Sequence, residues 1–458
     1  MICTSSSQPK ETSGDRDHHA VAADDESVTA ARHVSGAQHW RADGVTEDWT
    51  GRYAACAADI RGSAARAPLT LTGFSACVDA VYTVDARMLD TLTHVASRDH
   101  TGLETAFARA ILERIAEARG GELFRKWDEG PAWAENLLGS PRRLQVGGTG
   151  PQAAWALAIL GAPSVVALRD RSTDQLSVLH PAIGICGPDG ITTISDAPSD
   201  TAATKPRHYI LEFTAGTRWS AGVVARSTRI ILRFAHDGVE RDEAFAKLTP
   251  RLAPTAGAGL VSGMNGVRPG DERDEYWVID LARHWRKSGL RLIHLELAEY
   301  PVDRQLADVC KQYAGVANSI GMSLSELRAL TRSSADPAEL ALGVAQLGSV
   351  DRVCIHADTW SMSVHSHHPA VEVMMLLTGN LMAASRAAHG VPAAELDIHP
   401  LATYANDFPR SRDLGGGWRV DCVPSPYLYQ PRSTVGLGDT FVAGTLLAHG
   451  LMVVEASR

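Results

Sequence analysis

Between residues 69 and 450 short apolar runs alternate with stretches of helical spacing, and this alternation limits the possible folds more than any other feature of the chain. The runs LTLTGFSACVDAVYTV (69–84), SVVAL (164–168), HYILEF (208–213), RIILRF (229–234), GLVSGM (259–264), RLIHLEL (291–297) and DRVCIHA (351–357) have the length and β-branched content of buried strands, the first of them exiting into a turn. Between them GPQAAWALAILG, DEYWVIDLARHWRKSG, RQLADVCKQYAGVANSIG, LSELRAL and PAVEVMMLLTGNLMAASRAAHG place apolar residues at three- and four-residue intervals. Such a sequence predicts an α/β fold whose mainly parallel central sheet is covered by helices on both faces. Sheets of that kind bind ligands at the carboxyl ends of their strands.

The pattern has a beginning. Leu69 is the first leucine and Phe74 the first phenylalanine, while residues 1 to 44 are rich in Ser, Ala, Asp and His. A segment of that composition buries too little apolar area to offset its ordering entropy, and it is expected to be a disordered tail. Trp49, Tyr53, Cys56 and Ile60 then recur at helical spacing behind Thr46, Glu47 and Asp48, so the domain at 45–458 is expected to open with a helix near residue 46.

The chain has 44 basic and 53 acidic side chains, a net charge of −9, and gives no electrostatic reason to expect nucleic acid or an anionic membrane as partner. No apolar run is long enough for a transmembrane helix, and no secretory leader is visible. The seven cysteines never form C-x-x-C, which fits buried thiols in a reducing cytoplasm better than a disulfide or zinc framework.

Several segments carry residues suited to chemistry. In PRSTVGLGDTFVAGTLLAHG (431–450), Gly436 and Gly438 flank Leu437 and precede Asp439 at the head of a smooth helical run. Glycines let backbone amides approach an anion, the helix start adds partial positive charge, and a carboxylate beside that anion can act as base on an attacking hydroxyl. A helix-capping aspartate would explain the same local pattern. Gly147 and Gly148, followed by Thr149, open a small-residue helix where a sugar or phosphate could sit, although a tight strand–helix turn needs the same residues. His294 and Glu296 share one face at the end of a strand, and Glu326 stands in the first turn of a helix, either as a ligand toward magnesium or as an acid stabilising its own helix. Arg233 ends an apolar strand and should point into a cleft or pair with an acid there. The histidines His356, His365, His367 and His368 match no metal spacing, and VHSHHPA reads as a solvated loop.

Five segments in order resemble the ADP-dependent glucokinase/phosphofructokinase family, a branch of the ribokinase-like sugar kinases, over residues 46 to 458. VGLGDT (435–440) is similar to its GXGD signature, HLE (294–296) to HXE, NSIGMSLSEL (318–327) to the NXXE segment, GFSACVDAV (73–81) to the first strand with its N-x-D pair, and GGTGPQAAWALA (147–158) to the GGN turn and helix. The resemblance implies a Rossmann-like body with a smaller lid, whose segments would fall at about 80–145 and 170–230. It implies ADP as phosphoryl donor, a small sugar or sugar phosphate as acceptor, and Mg²⁺ held by Glu296, Glu326 and Asp439. Asp439 would be the catalytic base, with Gly436, Leu437, Gly438 and Arg233 on the nucleotide phosphates. Cys77, Asp79, Gly147, Gly148 and Thr149 would face the acceptor. Ser323, Cys77 and Thr149 stand where the family pattern has asparagine, so the acceptor site is expected to differ while the kinase chemistry persists. An ATP-using kinase of the same fold, and a non-catalytic sugar-binding or regulatory protein, are the alternatives.

Overall fold

The apolar run at 69–84 is not one strand but two, and they belong to different sheets. In a computed structural model that describes residues 48–98, 101–199, 205–268, 272–300 and 303–456, Thr70–Gly73 lies in an eleven-stranded sheet and Cys77–Thr83 in a five-stranded one. The few residues between them carry the chain across a cleft.

Seven strands of the large sheet are parallel neighbours, in the order Arg352–His356, Ser319–Ser323, Ile293–Glu296, Ala258–Val261, Thr70–Gly73, Ser164–Val166 and Gly184–Gly187. Antiparallel strands finish both edges: Trp360–His365, Trp418–Pro424 and Arg412–Gly415 on one side, Gly190–Thr193 on the other. One face carries Glu272–Lys287 and Pro337–Gly348, whose Trp285, Val278, Ala341 and Val344 pack on Ile293, Ile320 and Val353. The other carries Trp49–Ser63, Thr149–Ile159, Pro369–His389 and Leu437–Ala456, joined through Tyr53, Leu157, Leu376 and Leu446. Leu437–Ala456 is apolar almost all round because it is enclosed: Phe441, Val442, Ala443, Leu446 and Leu447 are all buried. Among the described residues, no helix is long and apolar enough to cross a membrane.

The small sheet runs Gly121–Phe124, Thr228–Arg233, His208–Phe213, Cys77–Thr83, Arg143–Gly147. Helices Ala86–Ala96, Leu103–Ala116 and Gly130–Leu138 close its outer face around an aromatic centre of Tyr82, Phe107, Tyr209 and Phe234. Phe107 and Phe234 meet edge to face at 5.3 Å and Trp127 lies 5.4 Å from Trp133. This core is separate from that of the large sheet.

The structure bears on four further expectations. Strands Gly184–Gly187 and Gly190–Thr193 join the edge of the large sheet, so only the later part of 170–230 contributes to the small one. The stretch 304–321 is not one helix: Asp303–Gln312 ends, and Ser319–Ser323 enters the sheet. The first described helix is capped by Asp48, whose carboxylate accepts from Gly51 N–H at 2.9 Å; residues 1–47, including Thr46, lie outside the described residues. VHSHHPA is a solvated loop only in part: His365 ends a strand, is fully buried and pairs with Asp421 at 3.0 Å, while Ser366, His367 and His368 are exposed, with His367 meeting Glu372 at 3.0 Å.

Candidate active site

The parallel strands end at a cleft of about 1100 Å³, lined on one side by the large sheet and on the other by the small one. That exceeds the usual 300–1,000 Å³ of a single small-molecule pocket, and leaves room for two ligands. Residues 296, 323 and 356 stand at or beside the carboxyl ends of three neighbouring strands, and all face it.

Asp439 lies in the first turn of Leu437–Ala456, directly behind the Gly436–Leu437–Gly438 turn. Gly436 has φ +70°, and a Cβ there would overlap the guanidinium of Arg386. Only glycine lets the turn close over that cation. Arg386, fully buried in Pro369–His389, donates to Thr440 Oγ1 and to Gln152 Oε1, each at 2.8 Å. It thereby ties the Asp439 turn to the Thr149–Ile159 helix. Burial raises the Asp439 carboxyl above the usual carboxylate range, while Arg386 and the hydroxyl of Thr149, which donates to it, pull the other way. Thr149 is thus drawn to Asp439.

The same cleft holds a second acidic group. Glu296 accepts from His294 Nε2 at 2.9 Å and from His356 Nε2 at 3.3 Å. Burial alone would raise its pKa, but the hydrogen bonds and charges of the two histidines together outweigh burial and hold it low. Glu326 closes a capping box with Ser323: its carboxylate accepts from Ser323 N–H at 2.7 Å, and its own N–H donates to Ser323 Oγ at 3.2 Å. Ser323, in the place of the family's asparagine, therefore serves as N-cap. Glu326 is at once a helix-stabilising acid and a residue of the cleft, and burial pushes it up to about 7.

That shift has a measurable consequence. A carboxyl raised from 4.5 to about 7 by burial carries no ionisation cost below its unfolded value, and loses that advantage as the pH climbs through 7. The melting temperature of Glu326→Gln minus that of wild type should therefore rise between pH 5 and pH 8 in metal-free buffer. A difference that stays flat would remove the burial account of Glu326.

The acceptor-side candidates meet on the small sheet. Cys77 and Asp79 alternate on one face of their strand, and Asp79 is in register with His208 on the next. Gly147 sits opposite Cys77, where a Cβ would overlap both Asp79 Oδ1 and Cys77 Sγ. Burial raises Asp79 to about 6. Gly148 lines the same part of the cleft with Thr149. Arg233 lines the cleft at the end of its strand and pairs with acids there: its Nη1 and Nη2 donate to Glu122 and Asp237, each at 2.6 Å.

Three residues escaped the sequence reading. The sequence groups His356 with a histidine cluster, yet it bridges toward Glu296 and packs beside Gly438. Arg386 is hidden inside a long apolar helix. His208 shows no local signal until its strand is paired.

A mixed, mostly parallel sheet with a small second sheet over its carboxyl edge, and an aspartate behind a glycine turn at the cleft, is the arrangement of the ribokinase-like fold. Residues 69–448 match the ADP-specific phosphofructokinase/glucokinase conserved region, and the chain belongs to that family of ADP-dependent sugar kinases, which are phosphotransferases. Among solved structures, an ADP-dependent kinase in complex with fructose-6-phosphate and ADPβS superposes with a TM-score of 0.72 at 17% identity, covering 89% of this chain and 99% of that one. A hypothetical ADP-dependent phosphofructokinase from Pyrococcus horikoshii OT3 gives 0.64 at 14% identity, over 85% and 98%. A last common ancestor of ADP-dependent phosphofructokinases from Methanosarcinales gives 0.62 at 16%, over 88% and 98%. No curated protein matches in sequence.

Proposed function

We propose that the cleft transfers the terminal phosphoryl group of ADP to a hydroxyl of a sugar or sugar phosphate, with Asp439 as the base. The observation that carries this reading is the placement of Asp439: at a helix start, behind a glycine turn, desolvated, and lining one cleft together with Asp79 and Glu296. Phosphoryl transfer asks little covalent chemistry of a protein and much positioning. The amides of the Gly436–Gly438 turn and the helix start supply partial positive charge for the phosphates. Asp439 takes the proton of the acceptor hydroxyl as it attacks, and burial, which raises its pKa above the ordinary carboxylate value, makes it a stronger base for that task. Asp79 and the Gly147–Gly148 turn hold the acceptor's other hydroxyls.

The acidic pair suits a hydrated Mg²⁺. Both oxygens of Glu296 already accept from histidines and one oxygen of Glu326 accepts from Ser323 N–H, so neither offers a bare bidentate carboxylate. Magnesium keeps several waters and takes few protein ligands, which such a pair can hold through water. When bound it neutralises charge on the phosphates. Cys77 offers a weak S–H donor where the family pattern has an amide, so the acceptor contacts differ from the usual ones.

The test is a panel of sugars and sugar phosphates, fructose 6-phosphate and glucose among them, with ADP or ATP as donor. One acceptor should yield AMP and a phosphorylated sugar from ADP, at a rate at least tenfold above that with ATP. Turnover on ATP alone, with ADP as product, would make the protein an ATP-dependent kinase of the same fold.

A further inference from the structure

We propose that Cys77, Asp79 and His208 form a binding site for one thiophilic divalent cation of the zinc type at the acceptor end of the cleft. The three donor atoms lie at the edges of one small triangle: Cys77 Sγ is 3.3 Å from His208 Nδ1 and 3.5 Å from Asp79 Oδ1, and His208 Nδ1 is 3.8 Å from Asp79 Oδ1. Zinc bonds of about 2.0–2.3 Å place neighbouring ligand atoms of a tetrahedron roughly 3.3–3.6 Å apart. Thiolate, carboxylate and imidazole are also the ligand types that zinc selects.

The fold builds this triangle from rigid parts. Cys77 and Asp79 project from one face of a strand, and His208 is fixed beside Asp79 by parallel pairing. On the third side stands Gly147, and a Cβ at that position would fill the space against both Sγ and Oδ1. The imidazole is oriented from behind. His208 Nε2 lies 3.0 Å from Asp237 Oδ2, which Arg233 grips at 2.6 Å, so the ring is held with Nδ1 toward the triangle. A carboxylate on the far nitrogen is the usual support of a zinc-bound histidine. All three residues line the cleft, which leaves a fourth position for water.

Because Asp79 is the residue assigned above to the acceptor hydroxyls, and on that reading alone, a cation held here withdraws it and competes with the sugar. The experiment has two arms. In the first, full-length protein stripped with EDTA is titrated with Co²⁺ as probe. One equivalent should bind with a thiolate-to-cobalt charge-transfer band and tetrahedral visible bands, both displaced by Zn²⁺. Cys77→Asn and His208→Gln, checked by melting curves, should each lose the charge-transfer band or weaken Co²⁺ binding at least tenfold. Wild type that takes up no Co²⁺, or shows no charge-transfer band, overturns the site. So does a Cys77→Asn protein with an unchanged spectrum. In the second arm, Zn²⁺ should raise the apparent KM for the acceptor in wild type with kcat unchanged, and leave Cys77→Asn unaffected. An intact cobalt spectrum with inhibition that is absent, or not competitive with the sugar, would refute the acceptor role of Asp79 and leave the metal site standing.

Discussion

Replacing Asp439 by asparagine should lower turnover by roughly 10²–10⁴ while ADP still binds with near wild-type affinity. The amide keeps the size of the carboxylate and an oxygen that accepts from the Thr149 hydroxyl. It loses only the capacity to take a proton. The turn is held by the Arg386 guanidinium under Gly436, which does not require the charge of Asp439 for its bonds to Thr440 and Gln152. The fold should therefore be intact, and melting should be unchanged or slightly higher, because a desolvated carboxylate has been neutralised. Near wild-type turnover in a well-folded variant would mean that the base lies elsewhere.

Arg386 has the second-largest expected effect, and it acts through Asp439. The guanidinium lowers a carboxyl that burial raises, so removing the cation lets that pKa climb. Arg386→Met should shift the acid limb of the kcat/KM profile upward by about one pH unit or more. It should also reduce stability, since each charge-assisted hydrogen bond is worth about 1.5–3 kcal/mol and two are lost. Arg386→Lys keeps the charge without the fork that bridges Gln152 and Thr440. The lysine variant should lose stability while its acid limb stays close to wild type. A methionine variant whose acid limb does not move would reduce Arg386 to a structural residue.

The parallel core was legible because its strands are short, apolar and bounded by helical periods. Ser164–Val166, Ile293–Glu296 and Arg352–His356 fall inside the runs that predict them. The break after Gly73 was not, because buried strands of two different sheets are equally apolar and nothing local marks the crossing. Gly184–Gly187 and Gly190–Thr193 are four residues each and carry no period to detect. In the site, Asp439 and its glycines announce themselves within six consecutive residues. Arg386 does not, because its partners lie 54 and 234 positions away in the chain. His356 was obscured by its neighbours: sequence places it beside His365 and His367, whereas strand pairing sends those two toward Asp421 and Glu372 and leaves His356 facing Glu296. Long-range partners are invisible to any window of sequence.

The transfer itself can be followed with ADP labelled in its β-phosphoryl group, mixed with Mg²⁺ and the acceptor that the panel identifies. Wild type should move the label to the sugar with one AMP formed per phosphorylated sugar. Asp439→Asn should bind the same ADP and move the label at least a hundredfold more slowly. Label appearing as inorganic phosphate without a phosphorylated sugar, or arriving on the sugar at equal rates in both proteins, would contradict the assignment of this cleft and of Asp439.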